Sequence, residues 1–176
     1  MKFFALSITA LVFLAVGVIA SACGDDGGGG LSLEEYFAQL DTAQNEVDRR
    51  FEEFFTQEEP DPNASGEEVA AFAGETIATF VSILQDAQGT FAGIEPPAEA
   101  EDVHNDLLQA IEDARDALEA AADDVPATLS LEELEMFDPF EPATEAFERV
   151  EAACVGLQTI ADDNSVDVDL ECQEEE

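Results

Sequence analysis

The single histidine, His104, is the residue whose type most readily suggests catalysis. Asp102 and Asp106 lie two residues to either side of it, so one of them could orient the ring as a general base. A base of this kind needs a nucleophile or a metal, and the sequence holds no G-x-S-x-G, H-E-x-x-H or C-x-x-C pattern. We therefore predict a solvated or boundary histidine and a protein that is not an enzyme.

Carboxylates are the second group of residues that could do chemistry. With 43 Asp and Glu in the chain, a pair at the spacing of a glycoside hydrolase arises by chance and carries no signal. The densest segment, residues 162–169, could offer oxygen ligands to Ca²⁺ from Asp162, Asp163, Asp167 and Asp169. It lacks the turn glycine of an EF-hand, and Val166 interrupts it. A second acidic cluster, residues 58–63, has no defined loop pattern either. We expect solvated acidic loops and keep a calcium site as the weaker alternative.

The first residues of the chain have the pattern of an export signal. Lys2 is followed by a largely apolar run, residues 3–20, and then by the small residues Ala20-Ser21-Ala22. A charged start, an apolar run and a small-residue end predict a signal peptide over residues 1–22 that is removed from the mature protein. The run approaches the length of about 20 residues that crosses a bilayer, so a retained signal anchor is an open alternative.

The residues at the cleavage site, Ala20-Ser21-Ala22-Cys23, resemble the lipobox of bacterial lipoproteins. Membership of that family implies cleavage before Cys23, a thioether-linked diacylglycerol on its sulfur, and an extracytoplasmic protein held on the cell membrane by lipid. The family usually has Leu where this chain has Ala20. The same residues also fit an A-x-A cleavage site, which would give a secreted protein without lipid.

The other two cysteines are Cys154 and Cys172. A lipid on Cys23 would leave them as a pair, and an oxidising compartment would let them form a disulfide. Their loop of about 18 residues would stabilise the fold by roughly 3 kcal/mol in the chain-entropy model. Two separate thiols are the alternative.

The mature chain is acidic to an unusual degree. After position 22 it contains 43 acidic residues, four arginines and no lysine, which gives a formal charge of −39. This composition excludes nucleic-acid binding through a basic surface, Schiff-base lysine chemistry and a P-loop lysine. Two interpretations of the charge stay open: adaptation to high salt, and selection of a basic protein partner.

Helical periodicity dominates the mature chain. Apolar residues recur at three- and four-residue steps in four stretches: 33–55, 69–91, 103–121 and 147–160. Serine followed three residues later by glutamate predicts capping boxes at Ser32–Glu35, Ser65–Glu68 and Ser130–Glu133. We expect the third helix to begin near Ala98, and Pro142 to lie in the first turn of the last helix. Arg49 and Arg50 are each four residues from a glutamate, Glu53 and Glu46, and should pair locally.

These elements predict an all-α fold: an antiparallel four-helix bundle over residues 31–172, with a short extra helix at 131–137. Residues 23–30, the lipidated cysteine and a glycine-rich segment, would form a flexible tether that reaches at most about 25 Å. Val166, Val168 and Leu170 alternate with acidic residues, which indicates an extended tail that the disulfide pins to the last helix. Residues 173–176 should be a frayed acidic end.

The functional hypothesis is a non-enzymatic, lipid-anchored interaction or structural module at the bacterial cell surface. Its partners would be the membrane, through the anchor, and a basic protein. The alternative is a module that binds a small ligand or a divalent cation, with Ca²⁺ the favoured ion. The predicted bundle is similar to helical bacterial lipoproteins that have no assigned function, so this resemblance implies no activity.

Overall fold

The computed structural model describes residues 31–56, 60–138 and 140–172, and every regular element among them is helical. The elements are α1 (Leu33–Phe55), α2 (Gly66–Ala92), α3 (Glu101–Asp123), α4 (Leu131–Met136), a 3₁₀ turn (Glu141–Ala143) and α5 (Thr144–Asp163). The four long helices pack together: α1 lies on α2, α2 on α3, and α3 on α5. The all-α prediction is confirmed.

Three helices begin with the predicted capping boxes. At the start of α2, the Ser65 hydroxyl accepts a hydrogen bond from the Glu68 amide, and the Ser65 amide donates to the Glu68 carboxylate at 2.7 Å. The same reciprocal pair is present at Ser32–Glu35 and Ser130–Glu133. Hydrogen bonds from the serines lower the pKa of all three glutamates. The predicted helix starts are therefore confirmed at these positions.

Two other helices begin later than expected. The third helix starts at Glu101 rather than near Ala98, because residues 98–100 form a turn in which the Ala100 amide donates to the Pro97 carbonyl at 2.9 Å. Pro142 lies in the 3₁₀ turn that precedes α5, so the last α-helix starts at Thr144. In both cases a local i→i+3 hydrogen bond replaces the first α-helical turn.

The short helix predicted at 131–137 is present as α4 and covers the start of α2. Leu129, just before α4, is buried against Val69 and Ala73 of α2. The Leu129 amide donates to the Gly66 carbonyl at 2.9 Å, which holds the segment on the first turn of α2. These residues form a second, smaller apolar cluster beside the main core.

Phe80 of α2 lies at the centre of an aromatic group within the main core. Its ring centroid is 5.0 Å from that of Phe51 and 5.5 Å from that of Phe54, both on α1. Phe140, before the 3₁₀ turn, and Phe147, on α5, lie 4.9 and 5.9 Å away. Tilted and edge-on aromatic pairs at these separations are favourable. Phe80 therefore links α1, α2 and α5.

Small residues let α3 and α5 approach closely. Ala110 and Ala114 of α3 and Ala153 and Ala161 of α5 are all buried. Gly156 lies close to α3: a Cβ atom added there would lie 3.0 Å from Cγ1 of Val103. A larger residue at 156 would need Val103 to move in a packed interface.

Two glycine substitutions should distinguish the effect of helix propensity on stability from the effect of the close contact between Gly156 and Val103. Gly74→Ala, in α2 where an added Cβ meets no atom within 4 Å, should raise the free energy of unfolding by about 0.5–1 kcal/mol. Gly156→Ala offers the same gain in propensity but must displace Val103, so it should stabilise less or destabilise. Urea unfolding of both variants checks this, and an equal gain at the two sites would contradict the packing argument.

Candidate functional site

His104, the candidate catalytic base, is buried and hydrogen-bonded to Tyr36. The His104 ring is 2% exposed and the Tyr36 side chain is fully buried. Nδ1 of His104 lies 2.9 Å from the Tyr36 hydroxyl oxygen, and the ring centroids are 5.7 Å apart in an edge arrangement. The only histidine and the only tyrosine of the chain are therefore each other's partners.

Burial sets the protonation states of this pair. Loss of water around the ring lowers the pKa of His104, and a hydrogen bond to the Phe91 backbone opposes that shift. Burial also raises the pKa of Tyr36 well above its ordinary value. A neutral imidazole has one donor and one acceptor nitrogen. Nδ1 and the tyrosine hydroxyl therefore share one hydrogen bond whose donor depends on the tautomer of the ring.

The prediction of a solvated or boundary histidine is wrong. Because α3 begins at Glu101, His104 lies one turn inside the helix, on the same face as Leu107 and Ile111. Its spacing of three and seven residues from these two apolar residues was the sequence signal for burial. Asp102 and Asp106, the proposed orienting residues, are exposed. The ring is held by a phenol instead.

The calcium candidates do not converge on one point. Among the described residues, no three His, Cys, Asp or Glu side chains are close enough to hold a metal ion together. Asp162 and Asp163 end α5, whereas Asp167 and Asp169 are exposed on the segment that follows it. In the second acidic cluster, Asp61 accepts hydrogen bonds from Asn63 in a turn that leads into α2.

The arginines are placed at the interfaces between helices. Three of them cross a packed pair: Arg50 of α1 to Asp86 of α2, Arg115 of α3 to Gln88 of α2, and Arg149 of α5 to Asp113 of α3. The fourth, Arg49, pairs with Glu46 and Glu53 on α1. The local pairing predicted for Arg49 is confirmed, but Arg50 reaches across to α2 instead of back to Glu46.

All four arginines thus have a partner within the chain, since Arg115 also contacts Asp116 at 2.7 Å. The arginines are outnumbered about tenfold by carboxylates, 43 to four. Most of the acidic side chains in the described ranges are exposed. The electrostatic field around the domain is therefore of one sign.

Residues 166–172, which we call the strap, run between α1 and α5. Gln158 of α5 donates to the Val168 carbonyl at 3.0 Å and accepts from the Leu170 amide at 2.9 Å. From the opposite side, Gln44 of α1 donates to the Leu170 carbonyl. Leu170 is 2% exposed and belongs to the main core. We call the space that the strap fills the strap groove.

The strap is joined to α5 at both of its ends. At the start, the Val166 amide donates to the Ala161 carbonyl at 2.9 Å and the Ser165 amide to Asp162 at 3.0 Å, with Ser165 at φ 59°. This is a Schellman motif with serine in the left-handed position. At the other end, the sulfur atoms of Cys154 and Cys172 lie 1.98 Å apart, with Cα atoms separated by 5.7 Å.

Several predicted features lie outside the described residues: the signal peptide 1–22, Cys23 with its tether 23–30, and the acidic end 173–176. Within the described ranges, no helix is long and apolar enough to cross a membrane. Neither a protein-family model, nor a curated protein, nor a solved structure matches this chain.

Acidification should destabilise the fold through His104. Its pKa lies below the ordinary 6.5, so the unfolded chain binds the proton more readily and stability falls as the pH drops below that value. The wild type should therefore lose stability as the pH falls from about 6.5 to 5.5. The measurement is urea unfolding of the wild type and of the double variant Tyr36→Phe/His104→Leu.

The double variant keeps every carboxylate, so their titration cancels in the comparison. The stability of the wild type relative to the double variant should fall as the pH is lowered over this range. Parallel pH profiles would show that the ring does not titrate on unfolding.

Proposed function

We propose that this chain is a non-enzymatic lipoprotein of the bacterial cell surface whose helical domain is an acidic module for binding basic proteins. The observation that carries the proposal is the placement of the arginines. Three of the four are used between helices, so the outward faces present carboxylates. A field of one sign accelerates encounter with cationic partners and repels anionic ones.

The anchor in this proposal is Cys23, with diacylglycerol on its sulfur. The tether of residues 23–30 would hold the domain within about 25 Å of the membrane. Repulsion between the acidic domain and anionic lipid would keep the domain away from the bilayer surface. The carboxylates would then be available to proteins on the extracytoplasmic side.

For the finer architecture, we propose that the four long helices run antiparallel. Contacts between α3 and α5 support this order: Val103 faces Gly156, whereas Asp113, further along α3, meets Arg149, which is earlier in α5. The start of α1 and the start of α3 meet through Tyr36 and His104, as expected for the first and third helices of such a bundle.

We also propose that Cys154 and Cys172 form a disulfide that pins the strap to α5. Export to an oxidising compartment and the closeness of the two sulfur atoms support it. The strap then closes the space between α1 and α5.

A catalytic role for His104 is disfavoured in this proposal. The ring is buried, and its Nδ1 is hydrogen-bonded to the Tyr36 hydroxyl. A general base must reach a proton of its substrate, directly or through one water. The same position stabilises a neutral ring, which suits a structural hydrogen bond.

The anchor is tested by Cys23→Ala in the full-length chain. Without the thiol, lipid cannot attach, and the protein should move from the membrane fraction to the soluble fraction. Immunoblotting of fractionated cells measures this, with Cys172→Ser as the control that removes a different cysteine. Retention of the Cys23→Ala protein on membranes would favour an uncleaved apolar leader as the anchor.

Partner selection can be tested by carbodiimide crosslinking, which joins carboxylates to lysine amines. The mature chain has no lysine, so it cannot couple to another copy through a lysine side chain. Membranes carrying the full-length protein should give crosslinked products at about 0.1 M NaCl that disappear at about 1 M, where the Debye length falls from ~10 to ~3 Å.

The outcomes separate the proposal from its alternatives. Absence of products at low salt, or products insensitive to salt, would contradict selection by charge. A divalent-cation module would instead show a melting temperature that rises saturably with CaCl₂ and not with MgCl₂ at matched ionic strength. Equal stabilisation by both salts would indicate screening alone.

A further inference from the structure

The strap is held by hydrogen bonds to its main chain, a mode that proteins also use to bind peptides. Two glutamines from facing helices, Gln44 and Gln158, hydrogen-bond to the main chain of residues 168 and 170 rather than to their side chains. Main-chain contacts of this kind bind an extended segment whatever its sequence, while pockets for alternate side chains select among sequences.

The strap groove also selects by alternation. Val166, Val168, Leu170 and Cys172 pack against the core, and each residue between them is exposed. The exposed positions contribute no apolar contact, so the groove sets no requirement for acidic residues there. It requires only apolar side chains two residues apart.

One end of the strap is poorly matched in charge to the groove. Burial raises the pKa of Asp48 on α1, and the nearby carboxylates of Glu171 and then Glu52 raise it further. Glu171 also adopts φ 48°, a left-handed conformation that is unfavourable for a residue with a side chain. A lysine or arginine in the place of Glu171 would turn repulsion into attraction.

We propose that the strap groove is a docking site for an extended segment of a basic protein, with apolar residues at alternate positions and a lysine or arginine where Glu171 lies. The chain's own strap is an intramolecular competitor, held in place by the Cys154–Cys172 bond. This inference rests on the proposed preference for basic partners and names the surface that carries it.

Release of the strap requires a dithiol reductant. The two thiols of the reductant are oxidised to a disulfide and give up two electrons and two protons. These convert the Cys154–Cys172 disulfide into two cysteine thiols. The strap is then held only by hydrogen bonds and apolar contacts, and a better-matched segment can replace it.

The test uses the full-length protein in detergent and two dye-labelled peptides of identical composition. The matched peptide, Val-Lys-Val-Lys-Leu-Lys-Ser, copies residues 166–172 with lysine for each acidic residue and serine for cysteine. The control peptide, Val-Val-Leu-Lys-Lys-Lys-Ser, has the same charge without the alternation. Fluorescence anisotropy is measured with and without a dithiol.

The matched peptide should bind the reduced protein about tenfold more tightly than it binds the oxidised protein. The control peptide should bind the reduced protein about tenfold more weakly than the matched peptide does. Cys172→Ser should bind it tightly without reductant, which keeps the test valid if reduction perturbs the wild type. Asp48→Asn should weaken binding, whereas Glu75→Gln, which removes the same charge from α2, should not.

Equal affinity for the two peptides, or no effect of either reduction or Cys172→Ser, would overturn the docking site. The proposed function would survive that result if the salt-sensitive crosslinked products persist, because the partner would then bind another acidic face. Loss of those products as well would remove both proposals.

Discussion

The fold depends on holding together four helices whose outer faces all carry negative charge. Burial of one apolar side chain contributes about 1.5–3 kcal/mol, whereas an exposed ion pair contributes about 0–1 kcal/mol, so the packed stripes supply most of the stability. Three of the arginines also bridge neighbouring helices. Each packed pair of long helices has one of them: Arg50 between α1 and α2, Arg115 between α2 and α3, and Arg149 between α3 and α5. Few cations therefore remain to neutralise the outer faces of the helices.

The Tyr36–His104 pair adds specificity to this apolar packing. His104 is the one buried polar residue among the ranges that the structure describes, and its hydrogen bond joins α1 to α3. Leaving a buried donor or acceptor without a partner costs about 1–3 kcal/mol. A shift of one helix along the other would break the bond, so the pair favours a single register. Alanine-rich surfaces such as those of α3 and α5 do not specify register as strictly, since small side chains fit several alignments.

The strap completes the domain by filling the space between α1 and α5 with non-helical backbone. Buried main-chain groups outside a helix need other hydrogen-bond partners. Gln44 and Gln158 supply them. The end of the strap is less well matched, because the charge of Glu171 acts together with loss of water to raise the pKa of Asp48.

Patterns between near neighbours in the chain were readable from sequence. The capping boxes at Ser32, Ser65 and Ser130 involve groups three residues apart, and the strap alternates every second residue. Helix periodicity likewise predicted the all-α class, because each stripe must be buried against another. Tertiary structure alone decided the partners of His104 and Arg50, which lie 68 and 36 residues away in the chain. Such contacts depend on how the helices rotate and align in the core. The sequence offers many residues of suitable type for each contact, above all carboxylates, and only the packing determines which of them lies within reach.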